Sequence, residues 1–142
     1  MTTTLLLRIA SFVSLLFAAG HSLGGLQKWS PTDGGNPVLT AMTDMHFPIM
    51  GVSRSYLDLF LGLGWSVSVF LLLQTVLLWQ MASLARTNEA QVRPMIAAFL
   101  AATLASGIIA WLFIFAVPVL FCAALAIVLA AAWWKARGAS AA

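Results

Sequence analysis

Four long apolar segments constrain what this chain of 142 residues can fold into. They cover about residues 5–23, 55–81, 94–115 and 118–136. An α-helix rises 1.5 Å per residue, so about 20 apolar residues cross the roughly 30 Å hydrocarbon core of a bilayer. Only 8% of the residues are charged, whereas a soluble domain carries roughly 25%. The sequence therefore predicts an all-α fold, a single-domain integral membrane protein built as an antiparallel bundle of four transmembrane helices.

The third and fourth segments carry signals for close helix packing. We expect Pro94 to open the third segment and residues 116–117 to form a tight turn into the fourth. Small residues recur every four positions in the third segment, at Ala98, Ala102 and Ser106 and at Ala97, Ala101 and Ala105. Such ridges let helices approach closely in lipid, and they predict a homo-oligomer or a membrane partner that packs on these two segments. Gln74 lies deep in the second segment, where a polar side chain is expected to form a hydrogen bond to another helix.

The longest connection, residues 24–54, predicts a turn and a short helix. Residues 30–35 are typical of a turn, and Asn36 followed by Pro37 is typical of a helix start. The pattern that follows predicts an amphipathic helix that reaches Phe47 and is ended by Pro48. Its members are Val38, Leu39, Met42, Met45 and His46.

The basic residues predict the orientation in the membrane. With the N-terminus inside, the inner side carries five of them, Arg8, Arg86, Arg93, Lys135 and Arg137. The outer side carries two, Lys28 and Arg54. The excess of Lys and Arg on the cytoplasmic side of membrane proteins therefore favours a multi-pass membrane protein with both termini in the cytoplasm. No motif for nucleic acid binding is present, and the bilayer is the predicted partner.

A group of polar residues is predicted to meet at the outer level of the membrane. His21 closes the first segment and Asp58 opens the second, while Asp44, His46 and Arg54 lie in the connection between them. Ionisable groups at one membrane level are a functional hypothesis, since they are costly in lipid. The candidates for catalysis are Asp58, His21 and His46, which would act as carboxylate and imidazole acid–base groups.

The start of the second segment predicts the wall of a small pocket. Asp58, Gly62 and Trp65 fall on one helical face, and Gly62 leaves a dent between the carboxylate and the indole. Tyr56 adds a second aromatic ring, and Arg54 and Asp44 complete the predicted ligand-binding set. A small amphiphilic or lipid-like molecule fits such a pocket, which would either bind or transform it.

Each of these residues also has a structural interpretation. Asp58 with Ser55 resembles a capping box, and Asp58 is four residues from Arg54, with which it would form an ion pair. His21 lies at a helix C-terminus, where a histidine interacts favourably with the helix dipole. His46 would reach water or headgroups. On this interpretation the chain is a structural or accessory membrane subunit that has no ligand and acts through helix packing.

Soft metal ligands and haem are weaker alternatives, and no cofactor is predicted. Met42, Met45 and Met50 with His46 supply thioethers and an imidazole in one segment, which suits Cu(I), and Met42 and His46 would share a helical face. His21 and His46 are the two histidines that a bis-histidine haem would need.

Several stretches of the chain resemble a family of small, uncharacterised bacterial proteins with four transmembrane helices. They are HSLGG at 21–25, KWSP at 28–31, MHFPIMGVSRSYLDLFLGLG at 45–64 and SVFLLLQTVLLWQ at 68–80. The resemblance implies the fold and a location in the bacterial inner membrane, and it implies no activity. In architecture alone the chain also resembles the emopamil-binding sterol-isomerase superfamily, small helical membrane proteins whose acidic and aromatic residues line a pocket for sterol-like ligands. No residue is carried over from that group.

Overall fold

The structure is a computed structural model that describes residues 1–25 and 37–136. The turn predicted at residues 30–35, the cap predicted at Asn36 and the predicted positions of Lys28 and Arg137 lie outside the described residues.

Four long apolar helices form most of the described chain, as the sequence predicts. Each of the four is long and apolar enough to cross a membrane, and for the first this includes its continuation to Gly24. A fifth, short helix precedes the second long one. The helices are α1 Thr3–Gly20, α2 Pro37–Asp44, α3 Tyr56–Leu84, α4 Glu89–Phe113 and α5 Ala116–Lys135. The prediction of an all-α protein with four apolar helices is therefore confirmed.

The ends of these helices differ from the predicted ends. α1 continues as one π-helical stretch, His21–Gly25. α4 begins at Glu89, because the side chain of Asn88 accepts a hydrogen bond of 3.0 Å from the Gln91 N–H and caps the helix. The prediction that Pro94 opens this helix is wrong, since Pro94 lies inside it. Proline there removes one early backbone hydrogen bond, and the helix continues through the position.

The connection between α4 and α5 lies two residues earlier than predicted. α4 ends at Phe113 and α5 begins at Ala116, so residues 114–115 make the turn and residues 116–117 are helical. Pro118 is thereby the third residue of α5, where a backbone N–H would have no partner within the helix. Proline is therefore accommodated in this first turn without the loss of a hydrogen bond.

A β-hairpin replaces the last part of the predicted amphipathic helix. α2 ends at Asp44, and β1 His46–Ile49 pairs antiparallel with β2 Val52–Ser55. The two turn residues have positive φ angles, 50° at Met50 and 83° at Gly51, as a type I′ turn requires. Pro48 lies opposite Ser53, and the two form the second residue pair counted from the turn. Alternation along an antiparallel ladder leaves that pair without backbone hydrogen bonds, so Pro48 is tolerated there.

The chain divides into two compact units, and α1 and α3 each contribute to both. Unit 1 comprises Met1–Phe17 and Leu71–Ala142, and unit 2 comprises Ala18–Phe70. In unit 1 a single hydrophobic cluster joins the start of α1, the end of α3, the start of α4 and the end of α5. Its members are Leu6, Leu7, Ala10, Leu78, Met81, Ala82, Ala85, Val92, Ile96, Leu125, Leu129 and Ala132. Unit 2 contains the hairpin, α2 and every candidate site residue of the sequence analysis.

Candidate functional site

Asp58 caps the helix that it opens. The backbone N–H of Ser55 donates a hydrogen bond of 2.9 Å to Oδ2 of Asp58. The backbone N–H of Asp58 in turn donates one of 3.1 Å to Oγ of Ser55. This reciprocal pair is the capping box that the sequence indicates, and it satisfies two N–H groups that the first turn of α3 leaves unpaired. Arg54 donates from Nη1 to the carbonyl oxygen of Ser53, at 3.1 Å.

His46 lies on the surface of the hairpin. Its Nδ1 lies 3.0 Å from the carbonyl oxygen of Asp44. A carbonyl oxygen only accepts, so Nδ1 carries the proton in this contact and Nε2 is the nitrogen that faces away from it. His46 pairs across the hairpin with Ser55, the same residue that caps α3 with Asp58. The hairpin thus brings His46 and Asp58 to either side of Ser55, and both side chains are exposed.

The predicted aromatic wall is open. The Tyr56 ring packs against Phe47, with centroids 5.0 Å apart and an angle of 49° between the planes. Trp65 is 53% exposed. A Cβ built on Gly62 would have no atom within 4 Å, so the predicted dent is not enclosed by neighbouring groups.

His21 makes a contact with α3 that the sequence analysis did not foresee. Nε2 of His21 lies 3.0 Å from the carbonyl oxygen of Gly64 and donates to it. The hydroxyls of Ser22 and Ser68 lie 2.9 Å apart, and Ser68 is 3% exposed. Oγ of Ser22 is also 2.8 Å from the carbonyl oxygen of Ala18. Polar side chains just after α1 are thus bonded to groups of α3.

The three candidate acid–base residues do not meet at one point. His46 and Asp58 share Ser55 as a neighbour, whereas His21 contacts Gly64, six residues further along α3. At 1.5 Å per residue, that contact is about 9 Å along the helix axis from Asp58. Gly64 precedes Trp65, so the part of the predicted pocket that His21 approaches is its indole end. The ligand-binding roles proposed for these residues stay predictions.

The helical premise of the copper hypothesis is wrong. Because α2 ends at Asp44, Met42 lies in a helix and His46 in a strand, and the two do not share a helical face. Met50 is at the turn of the hairpin and is 99% exposed; Met45 is exposed as well. Among residues 1–25 and 37–136, no group of three or more His, Cys, Asp or Glu side chains is arranged to hold a metal ion. A haem on His21 would have to displace its contact with Gly64.

Two arginines of unit 1 form contacts that the sequence analysis also missed. Cζ of Arg8 lies 4.7 Å from the centroid of the Trp79 ring, and Cζ of Arg93 lies 5.2 Å from that of Trp133. These are cation–π distances. The signal was available in the sequence, since Trp79 and Trp133 lie near the ends of apolar segments on the side where Arg8 and Arg93 are predicted.

Comparisons of this chain with protein-family models, with curated proteins and with solved structures found no match.

Proposed function

We propose that this chain is an integral protein of the bacterial inner membrane, with four antiparallel spans and both termini in the cytoplasm. The core of unit 1 supports this topology, because it combines the beginnings of α1 and α4 with the ends of α3 and α5. The basic residues Arg8, Arg86, Arg93 and Lys135 lie at or near those same helix ends. A concentration of Arg and Lys at one side is what the cytoplasmic side of a membrane protein carries.

We infer that the chain acts as an accessory subunit through packing of the outer face of α4. This face consists of Ala98, Ala101, Ala102 and Ala105, all exposed. The opposite side of the helix is buried within unit 1, at Val92, Ile96, Thr103 and Ala110. In lipid, small residues at helix interfaces permit close backbone contact, which supplies the van der Waals energy of association. This flat alanine face is the observation that carries the proposal.

A second copy of this chain is the partner that we propose for the face. A ridge of small side chains is self-complementary, and two copies related by a twofold axis bury the same surface on both sides. The alternative, a site for an amphiphilic molecule at Asp58, His46 and His21, has less support. Asp58 and His46 are exposed, and Asp58 and His21 bond to backbone groups of the protein itself.

Leucine substitution on the ridge tests the proposal. In Ala102→Leu the longer side chain would hold two copies of α4 apart, so the dimer dissociation constant should rise about tenfold, equivalent to about 1.4 kcal/mol. Energy transfer between labelled copies in vesicles, at decreasing ratios of protein to lipid, measures that constant. Ala131→Leu, at an exposed position of α5, is the matched control.

The control should associate like the parent protein. If the parent is monomeric at every ratio of protein to lipid, the self-association proposal is wrong. Equal weakening by Ala102→Leu and Ala131→Leu would also contradict it, because the effect would then depend on added bulk and not on the α4 face.

A further inference from the structure

Arg8 is held against an indole, and part of its charged group has no partner. The guanidinium lies over the Trp79 ring, 4.7 Å from the centroid. The Nε atom of Arg8 is buried and has no hydrogen-bond partner. The partly buried guanidinium keeps its positive charge, and an anion at its terminal nitrogens would offset the cost of that burial. Neither terminal nitrogen is both buried and unpartnered, as Nε is.

An apolar groove adjoins this arginine and shares its tryptophan. The groove has a volume of about 330 Å³ and is lined by Ser11, Phe12, Leu15, Thr75, Val76 and Trp79, among others. Trp79 therefore forms the platform for Arg8 and also a wall of the groove.

Three polar residues line the groove: Ser11, Thr75 and Gln80. Two of them use their hydroxyls inside the protein: Oγ of Ser11 donates a hydrogen bond of 2.8 Å to the carbonyl oxygen of Thr75, and Oγ1 of Thr75 donates one of 2.9 Å to that of Leu71. Apart from Gln80, the surface left for an occupant is consequently hydrocarbon. Phe12 and Leu15 lie four and seven residues after Arg8, so the groove extends about 6 to 10 Å along the axis of α1 beyond the charge.

We propose that Arg8, Trp79 and the adjoining groove bind one molecule of an anionic phospholipid. The terminal N–H groups of Arg8 donate to the phosphate, and an acyl chain occupies the groove beside Phe12, Leu15 and Val76. A cation at the interface with hydrocarbon-lined space directly below it matches a phospholipid in both charge and polarity. Basic sites between membrane helices on the cytoplasmic side are a recognised means of binding anionic headgroups.

The surroundings favour a headgroup with a net negative charge. The described basic residues at the helix ends in this unit are Arg8, Arg86, Arg93 and Lys135, and the acidic residue near them is Glu89, in the first turn of α4. A zwitterionic headgroup brings a second, positive group for which this end of the unit offers few anions. Phosphatidylglycerol should therefore bind in preference to phosphatidylcholine.

Arg93 provides a matched control. It also stacks on a tryptophan, Trp133, and its Nε is also buried without a hydrogen-bond partner. Neither Arg93 nor Trp133 lines the groove at Trp79. Arg93→Gln thus removes the same charge from the same kind of stack while it leaves the proposed lipid site complete.

Native mass spectrometry of the full chain tests the proposal. The protein is reconstituted in vesicles of equal parts phosphatidylglycerol and phosphatidylcholine, then released, and the lipids that stay bound are counted. The parent and Arg93→Gln should retain one phosphatidylglycerol. Arg8→Gln and Trp79→Leu should each reduce that adduct about tenfold, the effect expected when a phosphate contact and its support are lost. Arg8→Lys should give an intermediate reduction, since it keeps the charge without the planar stack.

Three outcomes would overturn the site. The first is an equal loss in Arg8→Gln and Arg93→Gln, which would indicate attraction by overall charge. The second is equal retention of phosphatidylcholine and phosphatidylglycerol by the parent. The third is displacement of the lipid by inorganic phosphate, which would identify a site for the free anion. If Arg8→Gln lowers the helix content measured by circular dichroism, the comparison of Arg8→Lys with Trp79→Leu decides instead, and an unchanged adduct in both rejects the proposal.

Discussion

Two helix contacts within unit 1 are stabilised by different chemistry. Two serines of α1 donate hydrogen bonds to backbone carbonyl oxygens of α3. Oγ of Ser11 donates to the carbonyl oxygen of Thr75, and Oγ of Ser14 donates a hydrogen bond of 3.2 Å to the carbonyl oxygen of Leu71. Ser14 also accepts a hydrogen bond of 3.1 Å from Nε2 of Gln74, as predicted for that glutamine. Ser14 is fully buried. Directional bonds of this kind fix how far one helix is shifted along the other.

Between α4 and α5, the contact at Gly107 is a close fit of small groups. A Cβ placed on Gly107 would lie 3.3 Å from Cβ of Cys122, closer than most such contacts. Thr103, the buried hydroxyl of α4, donates to the carbonyl oxygen of Phe99 in its own helix. The pair borders an apolar groove of about 300 Å³ lined by Gly107, Trp111 and Cys122, among others. In a membrane, where the hydrophobic effect provides no driving force between helices, both mechanisms would supply the energy of packing.

Gly107→Val should have the largest effect. The added side chain would force α4 and α5 apart at Cys122, and overpacking of this kind costs about 2 kcal/mol of unfolding free energy. Equilibrium unfolding of the purified protein in detergent micelles measures the loss. Gly62→Val is the control, because a Cβ at Gly62 meets no atom within 4 Å. Equal destabilisation by both variants would mean that the helix–helix contact at Gly107 is not tight.

Ser14→Ala should come next, with a loss of about 1 kcal/mol, the size measured for hydrogen bonds between membrane helices. The same unfolding experiment applies. Ser66→Ala is matched to it, since Ser66 is exposed and donates only to the carbonyl oxygen of Gly62 in its own helix. If Ser66→Ala is as costly as Ser14→Ala, the bond between α1 and α3 contributes nothing specific.

A double-mutant cycle with Gln74→Leu would isolate the pair of side chains. The coupling between Ser14 and Gln74 should be about 0.6 kcal/mol, the average for such pairs in a membrane. If the measured coupling energy is zero, the carbonyl oxygen of Leu71 is the only significant partner of Ser14 on α3. In that case the mechanism assigned to α1 and α3 would depend on the backbone alone.

The long helices could be predicted because hydropathy accumulates over about 20 residues and tolerates errors at single positions. The ends of helices depend on individual residues. Asn88 and Gln91 have the spacing of a capping box, but Pro94 was given more weight as a helix start. The hairpin was missed because Met50, at the turn, is not a residue type typical of a positive φ angle. Its partner Gly51 was the one local signal.

The candidate site was predictable one residue at a time but not as a group. The capping role of Asp58 follows from its spacing to Ser55, a local pattern. The bond from His21 to Gly64 depends on how α1 is aligned with α3, which composition does not specify. Ser11 and Ser14 are three residues apart in α1, a spacing that marks one helical face. That spacing could have indicated a polar contact between the two helices.

Asp58→Asn should have the smallest effect. Asp58 is the third residue of α3 and Ser55 is its N-cap, and the amide oxygen of Asn can still accept the hydrogen bond from the Ser55 N–H. The loss is then limited to the attraction of the carboxylate to the helix dipole and to the nearby side chains of Arg54 and His46, which is small for an exposed group. The same measurement in micelles distinguishes this exposed contact from the buried one at Ser14, where no water replaces the missing partner. A loss as large as that of Ser14→Ala would mean that the negative charge of Asp58 stabilises the fold much more strongly than an exposed carboxylate should.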